Sequence, residues 1–156
     1  MIDSLSYYKI VHKILDLDKS ITSVTIANLT SGKVLATNYK EAVGAMSLLT
    51  RQESELFTIQ SIIRMDSRTT LQHKLGKVLY SITVYENVTT ASMYLFNHLI
   101  IRRNSEDDNN NDGDDPILML SFEKNVDHEQ IINSKVLPFL KQKIGEATIP
   151  PKVEEN

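Results

Sequence analysis

The residues of this chain that are best suited to binding a metal lie in one acidic loop. Asp108, Asn110 and Asp112 stand at alternate positions, as the oxygen ligands do in the first half of a calcium-binding loop, and a glycine follows them. The second half of that pattern fails, because Met119 occupies the position of the bidentate glutamate. We therefore expect a solvated loop and no metal site, with weak divalent-ion binding by Asp108, Asn110 and Asp112 as the alternative.

The rest of the chain lacks the signatures of a catalytic or cofactor site. There is no cysteine, which excludes disulfides, thiolate metal sites and a thiol nucleophile. The four histidines do not have the spacing of a zinc-protease motif; they are His12, His73, His98 and His128. The sequence contains no glycine-rich phosphate or dinucleotide loop and no Gly-x-Ser-x-Gly elbow. It thus predicts a protein that is not an enzyme, with no catalytic residues and no cofactor.

The charge distribution argues against nucleic acid as a partner. The formal net charge is −3, and acidic residues crowd into 105–115 with no base among them. The basic pair of Arg64 and Arg68 is not interleaved with aromatic residues, as a base-stacking surface would require. No apolar run approaches the roughly 20 residues that span a bilayer, and the N-terminus does not have the pattern of a secretory signal. We expect a cytoplasmic protein without a nucleic-acid or membrane partner.

Length and composition indicate one domain. The 156 residues and the 41% hydrophobic content are typical of a single globular unit. We expect this domain to span residues 1–146, with the acidic loop inserted at 104–115. Residues 147–156 contain two prolines and no periodicity, which predicts a disordered tail.

The N-terminal part of the chain predicts a helix followed by a hairpin. Residues 4–17 repeat their apolar side chains at about 100° per residue, which is typical of a helix with one buried face. Residues 22–39 alternate apolar and polar side chains on either side of a turn, in which Gly32 is free to adopt a positive φ. Residues 40–49 have no clear pattern and lead to the next element.

A long central helix is predicted to begin after Thr50 and to end at Gly76. Thr50 and Glu53 match a capping box, and Gly76 is suited to a helix end. The predicted core-facing stripe consists of Leu56, Ile59, Ile62 and Ile63, and the opposite face of Phe57, Ser61, Arg64, Met65 and Arg68. Because Phe57 and Met65 are unusual on a solvated face, two alternatives stay open: scattered surface apolar residues, or a face shared with a second subunit.

Several strands are predicted in the second half of the chain. Residues 77–86 and 88–96 alternate as half-buried strands do, and residues 98–103 either extend the second of them or form a short separate strand. The nearly continuous apolar run 117–122 indicates a central strand.

The chain closes with a helix that Asp127 can cap and that Pro138 is expected to kink or divide. Taken in order, these elements predict an α+β fold. Its sheet would be antiparallel, with five or six strands, and three helices would flank it.

Three passages carry a resemblance to a known family. Residues 14–18 lead into the hairpin of 23–36, a long helix follows Thr50, and the strand 117–122 precedes a helix that contains Leu137-Pro138-Phe139. This order resembles the roadblock family of dynein light chains, which is grouped with the profilin-like and longin-like folds. The resemblance covers residues 4–145, and the insertion at 104–115 departs from it.

The resemblance implies a non-enzymatic homodimer that acts as a scaffold or regulatory module on a small Ras-like GTPase. It further implies that the dimer forms through the central helix and an adjacent edge strand, here 77–86. The predicted dimer interface on the helix is Phe57, Ser61, Arg64, Met65 and Arg68.

A competing hypothesis comes from a different class of protein. A small-molecule sensor domain of the PAS or GAF type also combines an antiparallel sheet with helices. Its pocket would lie between sheet and helices, lined by Tyr80, Ile82, Met93 and Phe122. These positions are equally suited to an ordinary core, so the sequence does not decide between the two.

Overall fold

The computed structural model describes residues 4–40, 49–95 and 116–148. In chain order the elements are α1 (Ser4–Leu15), β1 (Ile21–Asn28), β2 (Val34–Tyr39), α2 (Arg51–Arg68), α3 (Gln72–Leu75), β3 (Ser81–Val84), β4 (Thr89–Tyr94), β5 (Pro116–Phe122), α4 (His128–Ile131) and α5 (Leu137–Thr148). A 3-10 turn (Thr69–Leu71) joins α2 to α3, and a π-helical segment (Ile132–Val136) joins α4 to α5.

The strands form one five-stranded antiparallel sheet in the order β2-β1-β5-β4-β3. The predicted antiparallel sheet is confirmed, and so is the central position of the apolar run 117–122, since β5 pairs with both β1 and β4. The predicted strand 77–86 is wrong in its length, because the strand begins at Ser81 and ends at Val84. Residues 98–103, where a separate strand was considered, lie outside the described residues.

The first face of the sheet carries the main hydrophobic core. Strand alternation places Val24, Ile26, Leu118 and Leu120 on this face, and all four side chains are fully buried or nearly so. Helix α1 and the C-terminal helices pack on them with buried residues that include Val11, Ile14, Ile132, Val136 and Leu140. The first helix and the C-terminal helices therefore share one hydrophobic core.

The second face of the sheet is lined mainly by hydroxyl side chains. Cross-strand pairing aligns two neighbouring rows, Tyr39-Ser23-Ser121-Thr90-Thr83 and Thr37-Thr25-Met119-Ser92-Ser81. We call these two rows the hydroxyl face. The hydroxyl oxygens of Thr25 and Thr37 lie 2.9 Å apart, so the two strands at this edge share a side-chain hydrogen bond. Helix α2 thus covers a polar surface for much of its length.

The orientation of α2 differs from the predicted one. Of the four residues expected in the core, Leu56, Ile59 and Ile63 are 55%, 47% and 62% exposed, and only Ile62 packs against a buried cluster. Thr58, Ser61 and Met65 are buried instead. The physical reason is the hydroxyl face, which is best matched by small polar residues. Thr58 and Ser61 can be buried there because each donates its hydroxyl to a carbonyl one turn earlier in the helix.

The N-terminal cap of α2 was predicted correctly, but the predicted continuous helix up to Gly76 was wrong, because α2 ends at Arg68 and the 3-10 turn and α3 lie between it and Gly76. Thr50 Oγ1 accepts from the Glu53 backbone N–H at 3.2 Å, and Glu53 Oε2 accepts from the Thr50 N–H at 2.8 Å, which completes the capping box. Gly32 and Gly76 both adopt positive φ, at 70° and 86°. Helix α1 ends at Leu15, two residues before the predicted end at 17.

The C-terminal helix is divided before Pro138, as predicted. Asp127 caps α4 by accepting from the Gln130 N–H at 3.0 Å, and five residues of π-helix then precede α5. Proline has no N–H to donate, so one regular helical bond is missing at Pro138, and the π-helical segment ends just before it. Helix α5 includes residues 147–148, which were expected in the tail, while residues 149–156 lie outside the described residues.

Candidate functional site

No metal site is formed by the described residues. Within 4–40, 49–95 and 116–148, no three His, Asp or Glu side chains are grouped closely enough to hold an ion. The loop candidates Asp108, Asn110 and Asp112 lie outside those ranges. His12 bonds to Asn38 at 3.0 Å between the ring and the amide nitrogen, so its polar neighbour is a side chain of the hairpin.

The carboxylate of Asp18 is held by both an ion pair and a backbone hydrogen bond. Lys135 Nζ lies 2.6 Å from its Oδ2, and the Ser20 N–H donates to its Oδ1 at 2.8 Å. The lysine first, and then the backbone bond to Ser20, lower the pKa of Asp18 below its ordinary value of 3.8. The ion pair ties the loop after α1 to the π-helical segment, which indicates a structural role.

The predicted interface residues of α2 do not form one surface. Ser61 and Met65 are 5% and 1% exposed, because they pack against the sheet within the same chain. They cannot contact a second subunit in this arrangement, so that part of the prediction is wrong. Phe57, Arg64 and Arg68 lie together on the flank of α2 that overhangs β3.

This flank of α2 has defined contacts. The ring of Phe57 lies 6.4 Å from the ring of Tyr85, with the planes tilted by 52°. Arg64 and Arg68 border a narrow cleft whose other wall includes Ser81 and Thr83 of β3. Arg68 also donates to the Arg64 carbonyl oxygen at 2.9 Å. The flank therefore combines one aromatic ring with two guanidinium groups directly above an edge strand.

Strand β3 is an edge of the sheet in the described part of the chain. The Tyr85 N–H donates to the Val88 carbonyl oxygen at 2.8 Å, so Tyr85 directs its backbone groups towards β4. Because those groups alternate along an antiparallel strand, Ile82 and Val84 direct theirs to the open side. The Val84 side chain is 72% exposed. An edge of this kind is a template for pairing with another strand.

Exposed apolar side chains also lie on the side of α2 opposite Phe57. Leu56, Ile59 and Ile63 share one side of α2 at 100° per residue and are exposed, and Leu71 and Leu75 in the two elements that follow are exposed as well. We call Leu56, Ile59 and Ile63 the outer stripe. The sequence pattern contained this surface, but it was interpreted as the core-facing side of the helix. Single exposed apolar residues are common, whereas several on the same side of one helix are typical of a contact surface.

A cavity of about 410 Å³ separates the N-terminal half of α2 from the hydroxyl face. Its floor includes Ser23, Thr25, Thr37 and Ser121, and α2 contributes Phe57 and Thr58 among others. The predicted elements did not indicate this site. The available signal was the recurrence of Ser and Thr at alternate positions of several strands, which predicts one polar sheet face.

The sensor pocket of the competing hypothesis is not where it was expected. Met93 and Phe122 are fully buried in the main core, and Tyr80 and Ile82 pack against that core on the first face of the sheet. The ring of Phe122 also meets the ring of His128 edge-on at 5.3 Å. These four residues fill space between sheet and helices, so the structure does not favour the PAS or GAF alternative.

None of the described helices is long and apolar enough to cross a membrane. No protein-family model matches the chain, and no curated protein matches it in sequence.

Solved structures do match the fold. A Roadblock/LC7 domain from Streptomyces avermitilis superposes with a TM-score of 0.54 at 8% identity, over 90% of this chain and 92% of that one. MglB from Myxococcus xanthus gives a TM-score of 0.60 at 7% identity, over 97% and 96%. An MglB structure with a tetrameric arrangement gives 0.57 at 11% identity, over 90% and 88%. The chain therefore has the Roadblock/LC7 fold, as the order of its elements predicted.

Proposed function

We propose that this protein is a homodimeric, non-enzymatic regulatory or scaffold module that pairs through β3 and the adjacent flank of α2. The observation that carries the proposal is the open β3 edge beneath Phe57, Arg64 and Arg68. The Roadblock/LC7 fold supports it, and so does the tetrameric arrangement of MglB, which is a property of that protein.

Pairing of two β3 strands would follow from the direction of their backbone groups. A two-fold axis at Thr83 sets Ile82 of one copy opposite Val84 of the other, and each such pair exchanges two hydrogen bonds. About four backbone bonds would then join the two sheets. The exposed Val84 side chains would be covered by the same contact. A specific interface of this kind should bury at least about 1,200 Å² in total.

The charges of α2 complement one another in the same arrangement. At 100° per residue, Glu53, Phe57, Arg64 and Arg68 share one flank of the helix, with the acid near its start and the bases near its end. A two-fold axis makes the two helices antiparallel, which brings Glu53 of each copy towards Arg68 of the other. Self-association therefore pairs opposite charges around the aromatic centre of the flank.

The variant Val84→Pro tests the dimer. It removes an N–H that points to the open edge and should leave the β3–β4 ladder intact, since proline is tolerated on edge strands. We expect the dissociation constant of the dimer to rise by at least about tenfold, because both copies lose a bond and the ring obstructs close approach. Sedimentation velocity between about 1 and 100 μM measures the change.

Val84→Thr is the matched control for this test, because it keeps the N–H and the branched shape. It should sediment like the unmodified chain, and circular dichroism should confirm that both variants are folded. A wild-type protein that is monomeric at about 100 μM would contradict the proposal. So would equal dimerisation of the Pro and Thr variants.

The proposed partner is a small Ras-like GTPase, and the outer stripe is the surface that we assign to it. After dimerisation through the opposite flank, Leu56, Ile59 and Ile63 would stay accessible. Titration of small GTPases from the same genome, loaded with GDP or a GTP analogue, should show binding that Ile63→Glu weakens. Unchanged dimerisation of Ile63→Glu controls for the fold. Equal binding by Ile63→Glu would exclude the outer stripe as the GTPase surface.

A further inference from the structure

The cavity beneath the N-terminal half of α2 has a floor of hydroxyl groups that is only partly used by the protein. Ser23 and Ser121 are 4% and 6% exposed, and they are direct neighbours across β1 and β5. Both residues line the cavity, and within the described residues no side-chain hydrogen bond involves either of them, whereas the fully buried oxygen without a partner is Thr22 Oγ1. Two adjacent hydroxyl groups that open onto one cavity are free to bond to a molecule that occupies it.

The walls of the cavity are different in character from its floor. Phe57 and Met119 lie beside the hydroxyl groups, and Val34, Tyr39 and Leu49 stand at its border. One side of an occupant would therefore face hydroxyl groups and the other would face apolar and aromatic side chains. A volume of about 410 Å³ lies within the range of sites that hold small molecules.

The charged residues at the border of this cavity do not favour an anionic occupant. Arg51 and Glu55 border it, but their Nε and Oε1 atoms pair at 3.4 Å and the side chains are 93% and 61% exposed. The first turn of α2 is already capped by Thr50 and Glu53, so its N–H groups are not directed at an open anion position. The interior offers hydroxyl donors and acceptors without a net charge, which favours a neutral molecule.

We propose that this cavity binds an uncharged ring compound with hydroxyl or carbonyl groups along one edge, the chemistry of a nucleoside. Ser23 and Ser121 would bond to the polar edge, and Phe57 would contact the ring face. The site lies on the opposite side of the sheet from Tyr80, Ile82, Met93 and Phe122, and it does not depend on dimerisation through β3.

Saturation-transfer NMR with adenosine and uridine as separate probes tests the proposal. Either nucleoside should receive saturation from the wild-type protein at about 1 mM. Ser23→Ala and Ser121→Ala should each weaken binding between about threefold and tenfold, because each removes one hydrogen bond and leaves the backbone pairing unchanged. Ser67→Ala is the matched control, since its hydroxyl lies on α2 away from the cavity and bonds to the Arg64 carbonyl.

The results of this test distinguish binding in the cavity from dimerisation through β3. Binding that is retained in Val84→Pro and lost in a Ser23→Ala/Ser121→Ala double variant supports the cavity site whether or not the chain is a dimer. Absence of transfer to both nucleosides overturns the proposal and indicates a cavity that holds water. Transfer that is equal in the wild type and in the double variant also overturns it, because the nucleoside would then bind elsewhere.

Discussion

The orientation of α2 can be tested by a pair of truncations two residues apart. Met65 is 1% exposed and packs with Ala27, Tyr94 and Ile117 in a small cluster, whereas Ile63 is 62% exposed on the outer stripe. Truncation of a fully buried methionine to alanine costs about 2 to 5 kcal/mol. The cluster is small and bordered by half-buried residues that can relax into the space, so we expect about 2 to 3 kcal/mol for Met65→Ala.

Ile63→Ala is the matched control in the same helix. It removes a similar volume from solvent-exposed surface and replaces a β-branched residue with the best helix former, so the free energy of unfolding should change by less than about 0.5 kcal/mol. Urea denaturation measures both variants, and with a slope of about 2 kcal/mol/M the Met65→Ala midpoint should fall by roughly 1 to 1.5 M. The series is repeated at several protein concentrations, because dimerisation would add a concentration-dependent contribution.

The opposite ranking would refute the assignment. If Ile63→Ala costs as much as Met65→Ala or more at every concentration, α2 presents Leu56, Ile59 and Ile63 to the sheet, as the apolar pattern alone predicted. The hydroxyl face would then be covered by apolar residues, and the cavity argument would lose its basis.

Two further predictions concern the ion pair and the helix cap. The pKa of Asp18 is lowered from 3.8 by Lys135 and by the Ser20 N–H, so the stabilisation is fully present above about pH 4 and is lost as pH falls through the lowered pKa. Lys135→Met should therefore be less stable than the wild type at pH 7, with the difference shrinking towards pH 2 in urea midpoints; a difference independent of pH would contradict the ion pair. Thr50→Ala should cost about 1 kcal/mol in the free energy of unfolding, because it removes the acceptor for the Glu53 N–H; an unchanged urea midpoint would contradict the capping box.

Features that depend on neighbouring residues in the chain were predictable from the sequence. The capping box of Thr50 and Glu53, the Gly32 turn and the Asp127 cap are each satisfied within three residues, so local spacing was sufficient. The central position of β5 was predictable for a different reason. A strand covered on both faces needs apolar side chains at every position, and residues 117–122 nearly satisfy that condition.

The face of α2 was not predictable by the rule that was applied to it. Counting apolar residues identifies the buried side of a helix only when the surface beneath it is also apolar. Here the neighbours of the helix come from three strands distant in sequence, β1, β4 and β5, which present Ser23, Thr25, Thr90 and Ser121. The same error displaced Ser61 and Met65 into the predicted interface. Strand alternation should be examined before the face of a covering helix is assigned.

The pairing of β1 with β5 determines when the sheet can form. These two strands join Ile21–Asn28 to Pro116–Phe122 at the middle of the sheet, so the hairpin of β1 and β2 and the hairpin of β3 and β4 have no direct contact between strands. Until β5 has been synthesised, the two hairpins are separate units with unpaired inner edges. A chain that stops before Pro116 should therefore behave as two unstable fragments. Completion of the sheet must await closure of the loop between Asn28 and Pro116, which is more than half of the chain, and such closure is slow compared with local pairing.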